Sequence, residues 1–379
     1  MGPCPQELDN LIQKMKQTDL ELTVEGDISD FLGVKIDYRM DGTIHLTQPQ
    51  LINSILKELN LDKPNTKIKW TPVASSKILS AFPDSQPFDG HFHYRRIIGK
   101  LNYLEKSTRP DISYAVHQCA RFSSDPKQQH GDAIKWLCRY LAGTKDKGLI
   151  LKPDNSASFQ VYVDSDFAGN WIPEEARDDI NTSRSRYGYI VTYHGCPVTW
   201  ASKMQTEIAL SSTEAEYIAL SHTLRNTIPL MELLKELQSK KIGFPKNSPG
   251  IHCKIFEDNS GAIEIAKVPK MRPRTKHINV KYHHFRDYVE QEDISIFYIP
   301  TGEQPADMLT KPLNETLLEK HRFVVMGWKG MSNIERECKD HDNQADPERN
   351  EINKQIWLVL IFINGKNKIL MGIKLTIFD

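Results

Sequence analysis

The chain has 379 residues, with 49 lysines and arginines balanced by 49 aspartates and glutamates, so the formal net charge is zero. Hydrophobic residues make up 39% of the sequence, enough for real cores, and the length predicts two or three domains. No apolar run approaches the roughly 18 residues of a membrane helix, which argues against a membrane protein. The zero net charge also counts against a nucleic-acid binder with an overall basic excess.

The six cysteines lie far apart in the sequence and include no Cys-x-x-Cys pair. This spacing argues against a zinc site and against a disulfide framework, and it favours a reducing compartment. The first residues lack the basic segment and the apolar core of a secretory signal. We therefore expect an intracellular protein, with cytoplasm and nucleus both left open.

Residues 1–150 read as a first, mainly helical part of the chain. Two short strands at 31–36 and 44–46, joined at Asp41-Gly42, predict a hairpin. A polar stretch from 62 to 90 predicts an extended connection. Apolar spacing predicts helices over 8–15, 50–59, 94–105, 110–122 and 130–141. Gly143 is a good stop for the last of them.

The second part, residues 155–325, alternates strands and helices. Predicted strands cover 159–164, 187–193, 197–201, 251–256 and 294–299. Predicted helices cover 213–224, with an extension or a restart after Pro229, and 260–266, 276–289 and 305–313. Three meandering strands followed by alternating units predict an α/β fold, in which helices cover both faces of a mixed sheet.

Residues 331–379 form a third part, to which we assign no function. The segment 332–352 is highly polar and predicts disorder. Residues 355–378 are apolar, but Asn, Gly and Lys interrupt them and no clean period emerges. We therefore expect a tail that is disordered or belongs to no domain.

Four acidic residues of the second part fall at strand ends or helix starts. Asp164 and Asp258 end or follow the first and fourth predicted strands. Glu216 lies in the first turns of the helix after the third strand, and Asp307 opens the last predicted helix. If the first and fourth strands are parallel neighbours, their carboxyl ends place Asp164 and Asp258 side by side, where ligand sites of such sheets lie.

Clustered carboxylates repel one another, and divalent cations relieve that repulsion. Mg²⁺ takes carboxylate and phosphate oxygens, and two ions about 4 Å apart can hold the attacking water and the leaving oxygen of a phosphodiester. The alternative is that these acids are helix caps and solvated loop residues, as Asp307 near a helix start would be in any case. Placement alone leaves both interpretations open.

Seven motifs of the second part resemble the ribonuclease H domain of copia-type retrotransposon polyproteins. They are VYVDSDFAG at 161–169, SRSRYGY at 183–189, WASKMQ at 200–205, ALSSTEAEYIAL at 209–220, EDNSGAI at 257–263, RTKHINV at 274–280 and PTGEQPADMLTKPL at 300–313. The resemblance implies a ribonuclease H-like mixed five-stranded sheet with flanking helices. It also implies endonucleolytic cleavage of the RNA strand of an RNA–DNA hybrid.

The resemblance assigns the family's catalytic, metal-binding acids to four positions: Asp164, Glu216, Asp258 and Asp307. These would bind two Mg²⁺ ions, with Mn²⁺ as an alternative. Glu214 competes with Glu216, but two residues on a helix lie about 200° apart, so only one can face the site. Related ribonucleases H have an alanine three positions after the glutamate, which Glu216 and Ala219 fit.

Three further expectations concern the surroundings of these acids. Asp166 is a weaker candidate than Asp164 because it lies past the predicted strand end. Many ribonucleases H have a histidine in the loop before the last aspartate, and residues 299–306 contain none. The segment 266–286 carries seven lysines and arginines and no acid. A solvated surface would explain it, but a hybrid is held mainly through its phosphates, so we expect backbone contacts from Arg274, Lys276 and Lys281.

Residues 1–150 resemble the end of the reverse transcriptase of the same polyproteins, its thumb and connection segments. The motifs are DFLGV at 30–34, LTQPQL at 46–51, YRRIIGKLNYL at 94–104 and RPDISYAV at 109–116. The aspartate pair of the polymerase would lie upstream of residue 1, and Asp178-Asp179 lies in a polar loop of the second part. We therefore expect no polymerase activity from this chain.

The sequence thus predicts an RNA–DNA hybrid ribonuclease with a two-metal mechanism. Its expected partners are the hybrid and the missing polymerase part of the polyprotein, with no membrane and no zinc. One alternative is a catalytically decayed relic that acts at most as a nucleic-acid-binding or structural module. Another is a different nuclease or an integrase of the same fold, against which the absence of a zinc module counts.

Overall fold

The computed structural model of the protein describes residues 29–74, 79–154, 156–240, 249–267 and 284–328. The helix predicted at 8–15, the basic residues Arg274, Lys276 and Lys281, and the tail from 331 lie outside the described residues. None of the helices in these ranges is both long and apolar enough to cross a membrane.

A small antiparallel sheet combines the start and the end of the first part. Its strands lie in the order β1 (Asp30–Phe31), β2 (Val34–Tyr38), β3 (Ile44–Thr47) and β4 (Leu149–Leu151). The predicted hairpin is confirmed, and the Asp41 carboxylate accepts a hydrogen bond of 3.0 Å from the Thr43 amide in its turn. The sequence does not predict β4, which is only three residues long and pairs with β3, about a hundred residues earlier in the chain.

Helices fill most of the remaining first part, as predicted. They are α1 (Pro49–Glu58), α2 (Tyr94–Ser107), α3 (Ser113–Ala120) and α4 (Gln128–Gly143), and their apolar faces share one buried cluster. The single helix expected over 110–122 is instead a 3₁₀ turn, Pro110–Ile112, followed by α3. Arg109 and Asp111 form an ion pair at this turn, and both side chains are fully buried. The pair fixes the chain at that point.

The second part contains the predicted mixed five-stranded sheet. Its strands are β5 (Phe159–Asp166), β6 (Arg186–Tyr193), β7 (Cys196–Met204), β8 (Cys253–Glu257) and β9 (Ile294–Tyr298). In the described residues they lie in the order β7-β6-β5-β8-β9. Strands β7, β6 and β5 pair antiparallel, whereas β5, β8 and β9 pair parallel. The first and fourth predicted strands are parallel neighbours, which is the condition for Asp164 and Asp258 to lie side by side.

Helices cover both faces of this sheet. They are α5 (Ser212–Ser239), α6 (Ser260–Lys267), α7 (Arg286–Glu290) and α8 (Glu315–Met326). Helix α5 packs with α6 on one face, where Val161 and Val163 of β5 point. Leu309 and α8 cover the other face at Ile190 and Trp200. The two-sided α/β arrangement predicted from the sequence is therefore confirmed.

Of two helix predictions in this part, the extension of 213–224 past Pro229 is confirmed, whereas the helix over 305–313 is wrong. Helix α5 runs through Pro229 without a break, because this proline lies on the exposed side while Ile228 and Leu230 anchor its neighbours in the core. The helix expected over 305–313 is a 3₁₀ helix, Pro305–Leu309, and α8 begins only at Glu315. Pro312 lacks an N–H and disfavours helical geometry in the residue before it, which separates the two.

Candidate active site

The candidate site lies at the carboxyl ends of β5 and β8. Asp164 belongs to β5 and pairs with Gly188 of β6, and Asp258 directly follows β8. The parallel register of these strands, which aligns Tyr162 with Phe256, places the two aspartates at the same edge of the sheet. Ligand sites of α/β sheets lie outside this edge.

Three of the four predicted acids converge. Asp164, Glu216 and Asp258 each offer a carboxylate oxygen within 4.8 Å of the other two. Asp164 and Glu216 are buried, and Asp258 is partly exposed. One oxygen of Glu216, Oε2, is buried and has no hydrogen-bond partner among the described residues. An unpaired buried carboxylate oxygen beside two other acids fits a divalent cation, because Mg²⁺ prefers such oxygen ligands.

The first turn of α5 determines which glutamate faces this group. Ser211 caps the helix, and its Oγ accepts a hydrogen bond of 3.1 Å from the Glu214 amide. The Glu214 carboxylate turns back and accepts one of 2.9 Å from the Leu210 amide. This reciprocal pair stabilises a helix start. Glu214 is thus used in the cap, and Glu216, two residues on, lies at the acidic group.

Asp307 lies beside the three-residue group but not within it. It is 1% exposed, in the 3₁₀ helix 305–309, and its Oδ1 pairs with Lys311 Nζ at 2.9 Å. The same ammonium lies 3.9 Å from Asp164 Oδ2, which also accepts a hydrogen bond from the Thr310 hydroxyl. The fourth acid is therefore connected to the others through Asp164 and a lysine.

Burial and mutual repulsion disfavour the charged forms of these acids. Burial raises the pKa of Asp164, and burial together with Glu257 and Asp164 raises the pKa of Glu216 well above its usual value. Burial and the neighbouring Asp164 raise the pKa of Asp307 to about 7, although Lys311 opposes the shift. Bound cations would reverse this tendency by favouring the ionised carboxylates.

Sequence reasoning missed two residues of this site. Glu257 is completely buried, its Oε2 has no hydrogen-bond partner within the described ranges, and burial raises its pKa well above the usual value. Lys311 pairs with two of the predicted acids. Both lie inside the quoted motifs, and Glu257 directly precedes Asp258. For Lys311, its place in the motif was the available signal.

The expectation that Asp166 lies past the strand end is wrong. Asp166 is the last residue of β5 and pairs with Arg186 of β6, because the antiparallel ladder extends two residues beyond Asp164. The following loop folds back on its carboxylate so closely that a Cβ at Gly169 would lie 1.5 Å from Asp166 Oδ2. Asp179, from the other acidic pair considered, pairs with Arg121 at 3.5 Å.

The chain was compared with known proteins. No model of a protein family matches it. The Pol polyprotein from transposon RE1 of Arabidopsis thaliana is 36% identical over 314 residues, which cover 82% of this chain and 19% of the polyprotein. The one from transposon TNT 1-94 of Nicotiana tabacum is 34% identical over 327 residues, 83% of this chain and 23% of the polyprotein. Both are described as retrovirus-related.

A shorter relative is a putative transposon Ty5-1 protein of Saccharomyces cerevisiae. It is 31% identical over 226 residues, which cover 59% of this chain and 68% of that protein. By contrast, the chain spans only about a fifth of the length of the two polyproteins.

Solved structures show partial overlap. The N-terminal RNase H domain of a Mycobacterium tuberculosis protein has a TM-score of 0.27 at 15% identity, covering 40% of this chain and 90% of that one. LC11-RNase H1 in complex with an RNA/DNA hybrid has a TM-score of 0.26 at 17% identity, covering 40% and 94%.

Proposed function

Because the chain belongs to the copia-type family of retrovirus-related Pol polyproteins, we propose that its second part is a ribonuclease H that cuts the RNA strand of an RNA–DNA hybrid. The observation that carries this proposal is the convergence of Asp164, Glu216 and Asp258 within 4.8 Å at the edge of the sheet. Asp307 beside them completes the set of four acids.

The chain's own residues would hold and orient the reacting groups. Asp164, Glu216 and Asp258 would bind one Mg²⁺, and Asp164 with Asp307 would bind a second. Two such ions activate the attacking water and stabilise the leaving oxygen of a phosphodiester. The first turn of α5 and the surrounding core fix the backbone of Glu216, so its side chain starts from a fixed position beside the other acids.

Hydrogen bonds around the site support these positions. Thr301 donates to Asp258 Oδ2 at 2.8 Å. The buried Gln304 amide donates to the carbonyls of Val163 at 2.8 Å and Phe256 at 3.2 Å. Gln304 therefore ties the segment before Asp307 to the ends of both central strands, which fixes the distance between the fourth acid and the other three.

The full chain can be tested on a labelled RNA–DNA hybrid with Mg²⁺. We expect Asp258→Asn to lower the cleavage rate by more than about 100-fold. Mutating a residue that only hydrogen-bonds to a metal ligand already lowers metal affinity or activity by about 10–100-fold. Asp287→Asn, the same change at an exposed position of α7, should leave the rate unchanged. Rates are measured by the appearance of cut RNA.

Three results would contradict the proposal. Cleavage that persists in Asp258→Asn would rule out the assigned acids. Hybrid binding without cleavage by the unmodified chain at any Mg²⁺ or Mn²⁺ concentration would favour the catalytically decayed relic. Cutting or joining of duplex DNA alone would instead favour the other nuclease or integrase.

We further propose that residues 1–150 are the end of a reverse transcriptase and residues 155–325 the nuclease domain. The two are packed together: Trp200 of β7 donates to the carbonyl of Glu105 in α2 at 2.9 Å, and one apolar cluster joins β3 and β4 to β6 and α8. The polymerase part of the polyprotein as a partner, and phosphate contacts by Arg274, Lys276 and Lys281, stay predictions.

A further inference from the structure

Lys311 lies where the acidic site would take a second cation. Its Nζ is 2.9 Å from Asp307 Oδ1 and 3.9 Å from Asp164 Oδ2. Among the ion pairs of the described residues, it is the cation that joins these two carboxylates. A bridging ammonium between two acids occupies the position that a bridging metal ion needs.

The other half of the site differs in this respect. Among the ion pairs of the described residues, none joins Glu216 or Asp258 to a lysine or arginine, and the oxygens of Asp164, Glu216 and Asp258 lie within 4.8 Å of one another. Asp164 belongs to both halves. The site is therefore divided into a half open to a cation and a half held by Lys311.

We propose that Lys311 competes with the second of the two Mg²⁺ ions, so that the ions load in a fixed order. This inference rests on the proposed function. The first ion enters between Asp164, Glu216 and Asp258, and the second binds to Asp307 only after the Lys311 ammonium has moved away. The two cations exclude each other because the Lys311 ammonium already lies on the carboxylates of Asp307 and Asp164, which the second ion would need as ligands.

The structure allows the side chain to move while its backbone stays in place. The Thr310 hydroxyl bonds to Asp164 and, at 3.2 Å, to the carbonyl of Asp307. The segment packs so tightly on β6 that a Cβ at Gly188 would lie 2.6 Å from Leu309 Cβ. The Lys311 side chain is 33% exposed, so its flexible stem can carry the ammonium out to solvent.

Isothermal titration of the full chain with MgCl₂ tests the competition. We expect Lys311→Met to tighten the second binding step by roughly tenfold, a typical coupling between two competing ligands. Lys320→Met, which removes the nearby lysine paired with Glu303, should leave both steps unchanged. Unchanged or weaker Mg²⁺ binding by Lys311→Met would overturn the proposal.

A second comparison excludes an indirect effect on folding. In an Asp307→Asn background, Lys311→Met should no longer tighten a second binding step, because the carboxylate that this step needs is gone; a second step that is still tightened would overturn the proposal. The Mg²⁺-induced rise in Tm should be larger for Lys311→Met than for the unmodified chain. If Lys311→Met fails to fold, Lys311→Gln removes the charge and keeps a polar side chain for the same comparison.

Cleavage assays separate this inference from the proposed function. If the unmodified chain and Lys311→Met both cleave the hybrid and bind Mg²⁺ with identical affinity, the proposed competition is overturned and the proposed nuclease stands. Tighter second-ion binding in Lys311→Met without cleavage by any variant would support the competition and contradict the proposed nuclease.

Discussion

At the scale of single residues, buried ionisable groups have two different surroundings in this protein. The acids of the candidate site lie together and repel one another, which favours cation binding. His321 of α8 is also completely buried, but neither of its ring nitrogens has a hydrogen-bond partner in the described part of the chain. Burial, aided by Lys320, lowers the pKa of His321 to about 4. The first arrangement fits a function, whereas the second makes folding depend on pH.

His321 should destabilise the protein as the solution becomes acidic. Its pKa is lowered in the folded state, so between about pH 6.5 and pH 4 the unfolded chain binds the extra proton and stability falls as pH falls. The full effect is up to about 3 kcal/mol at pH 4. Urea unfolding at pH 7, 5.5 and 4.5 should show a weaker pH dependence for His321→Leu than for the unmodified chain. An identical dependence in both proteins would contradict this prediction.

At the scale of elements, the start of α5 positions a side chain of the candidate site through its cap. The Ser211 hydroxyl and the Glu214 carboxylate satisfy amides of the first turn and of the preceding loop. Because the cap fixes where the helix begins, it also fixes the helical face on which Glu216 lies. The competition between the two glutamates is thus resolved by hydrogen bonds that the backbone needs.

Removing the cap should lower the stability of the protein and leave its affinity for Mg²⁺ nearly unchanged. Ser211→Ala is expected to lower the free energy of unfolding by about 1 kcal/mol, a typical value for an N-cap. Since the buried core holds the rest of α5, Mg²⁺ affinity should change by less than about threefold. Ser239→Ala at the exposed end of the helix is the control. Denaturant unfolding and Mg²⁺ titration measure the two effects. Loss of Mg²⁺ binding in Ser211→Ala would contradict the prediction, because it would show that the cap is also needed for the metal site.

At the scale of the whole molecule, a buried ionic network connects the two parts. Asp111 accepts two hydrogen bonds from Arg109, at 2.9 and 2.8 Å, and one of 2.5 Å from Tyr140. Arg322 of α8 donates to the Tyr140 hydroxyl at 2.8 Å, and Trp328 donates to the carbonyl of Gly148 at 2.6 Å. Helix α8 and Trp328 are therefore held by residues from the first part of the chain.

Breaking this network should destabilise the chain strongly. Asp111→Asn leaves the buried Arg109 without its counter-charge, which typically costs about 3–5 kcal/mol. Asp146→Asn, the same change at an exposed position of the loop after α4, should have no measurable effect. Guanidinium unfolding measures the difference. A loss below about 1 kcal/mol would mean that this network contributes little to the stability of the chain.

The sequence by itself determined the α/β class, the order of the five strands along the chain, and most helices. These follow from the periods of apolar residues along the chain, which are local properties. It also placed four acids at strand ends and helix starts, and the motif resemblance selected them. A boundary failed at Pro312, where a helix stops early, and the sequence left extension or restart open at Pro229, where the core outweighs the proline.

Only the tertiary structure decided what surrounds those acids. The pairing of Lys311 with Asp307 and Asp164, the buried Glu257, and the pairing of β4 with β3 depend on which distant residues meet when the chain packs. Periodicity records which face a residue occupies, but it does not record the neighbours across that face. The positions of the acids could therefore be read from the sequence, whereas the cation beside them emerged only from the folded chain.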